Sequence, residues 1–166
     1  MARILGIDPG LATGMAIFDT ETLEFVRMDE TSHGIFNFKP SYKALMGGLT
    51  SPLGITHQAC EKFTLRSKNK FTADLSGVEI IGWLKGEGQW HTRNPEPVQH
   101  MTLTRLREKK DSYADSKVTK LMKKQGFRIG KGHTRMAGSV AIWYAAMVLK
   151  DEATLRWLKP KESSDS

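Results

Sequence analysis

Short apolar runs separated by turn residues fill the first thirty positions of the chain. One run covers Arg3 to Asp8 and ends at Pro9-Gly10, and a second covers Ala12 to Asp19. Apolar runs of this length that end at Gly, Pro or Asp favour buried strands. Thr22 to Met28 instead alternates apolar and polar residues, which favours a strand with one exposed face. The pattern predicts a meander of three strands.

Farther along the chain the apolar residues adopt helical spacing in several segments. Between Lys70 and Lys85 they recur every three or four positions, as on the buried face of a helix. Helices that alternate with strands after a meander favour an α/β fold, a mixed five-stranded sheet with helices on both faces. The elements predicted after the meander are a helix over Phe38 to Leu49, a strand over Leu53 to Cys60, a helix over Lys70 to Lys85, a strand over Val98 to Leu103, a helix from Asp115 or Ser116 to Gln125, and a final helix containing Met136 to Met147.

The length and composition restrict the class of protein. With 166 residues, 39% of them hydrophobic, the chain is expected to form one domain over residues 1–160, followed by a flexible C-terminal tail over 161–166. No apolar stretch approaches the roughly 20 residues of a membrane span, and Asp8 and Pro9 come too early for a signal peptide. A lone cysteine, Cys60, excludes an internal disulfide. We therefore expect a protein of the cytoplasm, or of the host cytoplasm if viral, without membrane contact.

Positive charge is concentrated in one part of the chain. The whole sequence has a net charge of +7, whereas the segment Thr102 to Arg135 alone holds eleven basic and three acidic residues, a net of +8. Such a segment favours a polyanion, since each neutralised phosphate releases condensed counterions. Nucleic acid is the expected partner, and a solvated lysine face is the alternative. The basic residues of this segment expected to contact phosphate are Lys109, Lys110, Lys117, Lys120, Lys124 and Arg135.

Two carboxylates stand at the ends of predicted strands. Asp8 ends the first strand, and Glu61 follows the strand that ends at Cys60. Asp8 taken alone is as well explained by a role in starting a turn. If the two strands are neighbours, however, the carboxylates meet, and their repulsion favours a cation between them. Hard oxygen ligands select Mg²⁺ or Mn²⁺ over zinc, so the pair predicts a divalent-metal site with a phosphate substrate.

A known family shares this opening motif. The motif reads Gly6-Ile7-Asp8-Pro9-Gly10-Leu11-Ala12-Thr13-Gly14 and is followed by Glu61 after an apolar strand. It resembles the RuvC family of Holliday junction resolvases, and the RuvC-like endonucleases of bacteriophages look most similar. Sugar-kinase and actin-like ATPases share a related Gly-Ile-Asp start but need a much longer chain with a duplicated domain.

The resemblance implies an RNase H-like fold and a metal-dependent nuclease. In such a site acids bind two Mg²⁺ ions (or Mn²⁺) at the scissile phosphate of a Holliday junction or other branched DNA. Asp8 would be the bridging ligand and Glu61 the ligand from the fourth strand. The expected products are a 5′-phosphate and a 3′-hydroxyl.

The family's pattern places two more ligands at the start of the last helix, three residues apart. His133 fits the first place, but Met136 stands where a carboxylate is expected, and its soft thioether is a poor ligand for Mg²⁺. Three explanations stay open: Asp111 or Asp115 takes the place, the site works with His133 and the two strand acids, or the protein binds DNA and cuts it poorly. We favour the second.

Further residues gain a role only through the resemblance. Lys117 would steady charge on the phosphate, with solubility as the alternative role. Phe63, which lies near Arg66 and Lys68 in the sequence, would stack on bases at the centre of the junction. The alternative role for Phe63 is packing in the protein core. The near two-fold symmetry of a four-way junction favours a homodimer. The rival functions are a branched-DNA-binding protein with little cleavage and an RNase H-type nuclease for RNA in hybrids.

Overall fold

The computed structural model describes residues 1–46, 53–62, 75–86, 102–104, 113–128 and 132–159, with the backbone alone at 102–104 and 113–115. Predictions for other residues, among them the tail over 161–166, lie outside this part of the chain. The elements in chain order are β1 (Arg3–Asp8), β2 (Thr13–Asp19), β3 (Glu24–Thr31), α1 (Ile35–Met46), β4 (His57–Glu61), α2 (Ser76–Lys85), β5 (Thr102–Thr104), α3 (Tyr113–Lys124), α4 (His133–Met147) and α5 (Glu152–Leu158).

The strands form one mixed sheet in the order β3-β2-β1-β4-β5. β2 is antiparallel to both β1 and β3, which is the predicted meander. β4 runs parallel to β1, with Ile4 opposite His57 and Ile7 opposite Cys60. The strands β1 to β4 have five to eight residues, and β5 is a three-residue segment beside β4. The mixed α/β architecture expected from the sequence is confirmed.

Helices cover both faces of the sheet. Because successive side chains of a strand point to opposite faces, Ile4 and Leu5 enter different cores. Ile4 packs with residues of α3 and α4, and Leu5 packs with residues of α1 and α2. Both side chains are fully buried, and each such burial stabilises the fold by roughly 1.5–3 kcal/mol.

Two glycines let α4 lie unusually close to the sheet. A Cβ atom at Gly6 would fall 2.0 Å from the carbonyl oxygen of Ala137, and one at Gly14 would fall 2.0 Å from that of His133. No side chain fits into those gaps, so the absence of a Cβ at both positions is what permits this contact. Gly14 thereby fixes where the first residue of α4 sits above the sheet.

Several elements differ from the sequence prediction. α2 begins at Ser76 rather than Lys70, α3 begins at Tyr113 rather than Asp115 or Ser116, and β4 covers His57–Glu61 rather than Leu53 to Cys60. α1 begins at Ile35 rather than Phe38, so Pro40 lies inside it, not at its start. Pro40 has no backbone N–H and so removes one hydrogen bond from the helix. The helix forms nevertheless, because Phe38 and Tyr42, four positions apart on one face, are fully buried against the sheet and stabilise it. α5 was not predicted at all.

Among the described residues no helix has both the length and the apolar character needed to cross a bilayer.

Candidate functional site

Two carboxyl groups meet at the ends of β1 and β4. In the parallel register Ile7 lies opposite Cys60, so the next residues, Asp8 and Glu61, leave the two strands side by side. Their side chains are in hydrogen-bonding contact. β1 and β4 are therefore neighbours, which is the condition that the sequence prediction set. Their pairing brings together two acids that lie 53 positions apart in the chain.

His133 joins this pair from the first position of α4. Its Nδ1 atom lies 3.0 Å from Oδ2 of Asp8, and the Asp8 side chain is 16% exposed against 36% for the imidazole. The helix starts after Gly132, whose φ of +97° is in the left-handed region that favours glycine. Gly14 lies directly opposite Asp8 in the sheet. Because the start of α4 lies close to Gly14, the side chain of His133 is positioned beside Asp8.

The surroundings of Asp8 favour its neutral form. Burial raises the pKa of Asp8 and outweighs the hydrogen bonds with His133 and Glu61, which lower it. The negative charge of Glu30 raises the pKa of Asp8 further. Two carboxylates in contact need either a shared proton or a cation to offset their repulsion. The site therefore favours positive charge beside Asp8.

The neighbouring thiol is not a ligand candidate. Cys60 directly precedes Glu61, lies opposite Ile7 of β1 and is fully buried. Burial, together with the charges of Asp8 and Glu61, raises the pKa of its thiol far above the ordinary value. Because metals bind the thiolate, a thiol held neutral in this way contributes packing rather than coordination.

The donor set fits a hard divalent cation, in part. The oxygens of Asp8 and Glu61 are the ligands that Mg²⁺ and Mn²⁺ prefer, and their contact is one that a cation would relieve. In the described portion of the chain, however, no three His, Cys, Asp or Glu side chains gather closely enough to hold a metal ion together. His133 is engaged with Asp8 by its hydrogen bond. The geometry thus provides a carboxylate pair with an attached imidazole.

Comparison with known proteins bears on the fold. No protein family and no curated protein matches the sequence. Among solved structures, T. thermophilus RuvC in complex with a Holliday junction substrate is similar, with a TM-score of 0.57 and 13% sequence identity over 89% of this chain and 96% of that chain. The chain has a RuvC-like fold. This agrees with the fold that the opening motif implied.

In this RuvC-like fold Met136 follows His133 by three residues, within the first turn of α4, and is half-buried. The first turn of α4 contains no acidic residue. Asp111 lies outside the described residues, and at Asp115 only the backbone of α3 is described. The explanation that one of these acids completes the site therefore stays a prediction.

Lys117 has a contact that the sequence did not reveal. Its Nζ atom donates hydrogen bonds to the carbonyl oxygens of Trp157 and Lys159, the latter at 3.1 Å, and lies 5.4 Å from the centre of the Trp157 ring. A lysine that binds the last carbonyls of a helix stabilises the helix end. These contacts give Lys117 a structural role at the end of α5, and none of its described contacts is with Asp8 or Glu61.

Replacing Lys117 by Met tests this role. The Lys117→Met variant keeps most of the aliphatic stem but loses the ammonium group, so we expect the free energy of unfolding to fall by about 1 kcal/mol. Lys120→Met, on the same helix but exposed, serves as the matched control and should unfold like the unmodified protein. Urea denaturation measures both. An unchanged free energy of unfolding in Lys117→Met would contradict the structural role, and the phosphate contact expected of Lys117 stays a prediction in either case.

The other residues expected to bind DNA fall into two groups. Lys120 and Lys124 are exposed on α3, and Arg135 is half-buried in the first turn of α4. Their exposure is compatible with phosphate contacts, and their role stays a prediction. Outside the described residues lie Phe63, Arg66, Lys68, Lys109 and Lys110.

Glu30 is a residue near this site that sequence reasoning missed. It lies opposite Gly14 on β3, and Gly14 in turn lies opposite Asp8 on β1. Residues directly opposite each other in a sheet point to the same face, so Glu30 and Asp8 share the face covered by α4. The predicted third strand ended at Met28, so the sequence held no signal for Glu30, and the observed register of β3 was needed to find it.

Proposed function

We propose that this protein is a Mg²⁺-dependent, structure-specific DNA endonuclease that cleaves Holliday junctions and other branched DNA. The observation that carries the proposal is the contact between the Asp8 and Glu61 carboxyl groups, with His133 attached, at the strand ends of a RuvC-like fold. The similar structure holds a Holliday junction substrate, which supports branched DNA as the substrate class. The basic segment with exposed Lys120 and Lys124 supports a polyanionic partner.

The three side chains have distinct tasks in this proposal. Asp8 and Glu61 would hold the metal ions, and His133 would become a further ligand by exchanging its hydrogen bond with Asp8 for the metal. Bound Mg²⁺ would supply an activated water and offset the charge that develops on the phosphate and the leaving 3′ oxygen. Asp8 lies between the other two, so it orients both through its hydrogen bonds. Its partly buried position limits competition from bulk water, which strengthens each charge interaction.

A panel of labelled substrates tests the reaction class. We expect the protein to cut four-way junctions in Mg²⁺ or Mn²⁺, to leave 5′-phosphate and 3′-hydroxyl ends, and to cut plain duplex DNA slowly. The panel also includes three-way junctions, flaps and RNA–DNA hybrids, with a chelator lane for each. Cleavage of the hybrid alone would replace the proposal by an RNase H-type activity, and cleavage in chelator would exclude the metal mechanism. A homodimer, with one site for each of two symmetric strands, belongs to the same proposal.

A second candidate function is a branched-DNA-binding protein that cuts little. Met136 favours it, because a thioether replaces the expected carboxylate and the described residues gather no third ligand around a common point. On this alternative, Met136→Asp should raise Mg²⁺-supported cleavage about tenfold, as expected for a gained metal contact. Met147→Asp, at the exposed far end of the same helix, is the matched control. No gain with Met136→Asp would count against this alternative.

A further inference from the structure

We propose that Phe36 on α1 stacks on an unpaired base of branched DNA, while Lys43 on the same helix face binds a phosphate of that strand. The inference rests on the proposed function, because it names a part of the substrate that the protein would hold beside the cutting site. Phe36 is 82% exposed, whereas Phe38 and Tyr42 of the same helix are fully buried. The helix is thus well packed, and it presents one aromatic ring to the outside.

Phe36 lies beside the end of the sheet that holds the acid pair. The backbone N–H of Gly34, two residues before Phe36, donates a hydrogen bond of 2.8 Å to the carbonyl oxygen of Leu11, three residues after Asp8. The reach of the chain therefore limits the separation of Phe36 and Asp8 to about 25 Å between Cα atoms, a length that about seven base pairs of DNA span. A single branched DNA can contact both residues.

The surface around Gly34 is apolar beyond the phenyl ring itself. Leu11, in the turn between β1 and β2, is 58% exposed. On the other side of Gly34 lies α2, because a Cβ atom at Gly34 would fall 3.1 Å from the hydroxyl oxygen of Ser76. Leu75 and Val78, which flank Ser76 in the sequence, are also exposed. Single exposed apolar residues need no explanation, whereas a group of them indicates a binding surface.

The charge of α1 favours DNA as the occupant of this surface. Residues 32–46 contain two lysines and one histidine and no acidic residue. Phe36, Pro40 and Lys43 are exposed at intervals of four and three positions, so they form one stripe about 10 Å long. The exposed acid Glu79 lies on α2, so we expect the phosphate on the α1 side. An aromatic ring for the base and a cation for the phosphate are the combination that binds single-stranded DNA.

DNA binding without cleavage tests the inference. Fluorescence anisotropy in Ca²⁺ follows a labelled four-way junction with unpaired thymidines at its centre, and a fully paired duplex of the same length. For the junction we expect the dissociation constant to rise about tenfold in Phe36→Ala, or about 1.4 kcal/mol, as for loss of one stacked base. Phe36→Trp keeps an aromatic face and should bind the junction like the unmodified protein.

Two further variants separate the parts of this surface. Lys43→Met should weaken binding of both DNAs and lower the slope of log K against log salt by about one, the share of a single phosphate contact. Val148→Ala also shortens an exposed apolar side chain, but it lies just after the far end of α4 from His133. This matched control should bind both DNAs like the unmodified protein.

The outcomes separate this inference from the proposed function. If Phe36→Ala binds the junction normally, or loses junction and duplex equally, the stacking role is overturned and the nuclease proposal is untouched. If Phe36→Ala changes the molar mass in sedimentation equilibrium, the surface binds a second copy of the chain and the inference is again wrong. If the unmodified protein binds no branched DNA, both the inference and the proposed function are overturned.

Discussion

Replacing Asp8 by Asn is expected to reduce Mg²⁺-dependent junction cleavage at least 1,000-fold, or about 4 kcal/mol of transition-state stabilisation. The amide keeps the size and shape of the carboxyl group but removes the charge that would hold the metal. It can still hydrogen-bond with His133 and Glu61. Binding of a four-way junction, measured by gel shift in Ca²⁺, should stay within about threefold, since phosphate contacts depend on the basic segment.

The same substitution should not weaken the fold. Asp8 is partly buried beside Glu61, and burial already raises its pKa, so the charge at this position opposes folding near neutral pH. We expect the melting temperature of Asp8→Asn to equal or exceed that of the unmodified protein, which excludes unfolding as the cause of lost activity. Asp29→Asn, on the opposite face of the sheet, is the control and should cleave normally. Cleavage by Asp8→Asn at the unmodified rate would refute the site.

Adding one methyl group at Gly14 should disturb both stability and activity. The new Cβ atom of Gly14→Ala would lie 2.0 Å from the carbonyl oxygen of His133 and 2.7 Å from the backbone nitrogen of Thr134. Backbone atoms of a helix cannot move aside as a flexible side chain can, so the start of α4 must lift from the sheet. We expect the free energy of unfolding to fall by about 3 kcal/mol and cleavage to fall with it, because His133 leaves Asp8.

A second glycine provides the control for the substitution at Gly14. A Cβ atom at Gly82, inside α2, would have no neighbour within 4 Å. Gly82→Ala should therefore raise the free energy of unfolding by roughly 0.5–1 kcal/mol, since alanine favours a helix over glycine. Urea denaturation of both variants gives the comparison. Equal stability of Gly14→Ala and the unmodified protein would show that α4 does not lie where the structure has it.

The strands around Asp8 could be predicted because local sequence determines them. Arg3 to Asp8 is an apolar run closed by Pro9-Gly10, and the structure has β1 over the same residues. The proximity of Glu61 depended on one tertiary condition, the pairing of β1 with β4. That condition is met in parallel register, which local sequence does not determine.

Glu30 could not be placed from alternation alone. Phe25 is buried in the core under α4, and a strict period of two would put Glu30, five positions later, on the opposite face. A register shift in β3 changes this, because Ile17 pairs with Arg27 while Phe18 pairs with Phe25, which leaves Val26 as an extra residue. The bulge turns Glu30 toward the face of Asp8.

The role of Lys117 depended on an element that the sequence prediction lacked. α5 has only seven residues, too few for a clear helical period. Its one clear local signal is Asp151, whose side chain accepts a hydrogen bond from the N–H of Thr154 at 2.8 Å as an N-cap. Because the sequence prediction did not include α5, it offered no carbonyl group as a partner for Lys117. Lys117 was therefore grouped with the other basic residues of its segment.

The position of α4 late in the chain has a consequence for biosynthesis. His133 meets Asp8 across 125 positions, and the face of the sheet that carries Ile4 and Phe18 is covered by α3 and α4. While the ribosome is still extending the chain, the two strand acids can already be neighbours, but that face stays bare and the imidazole is missing. The proposed site is therefore incomplete on a nascent chain until α4 has left the ribosome and folded onto the sheet.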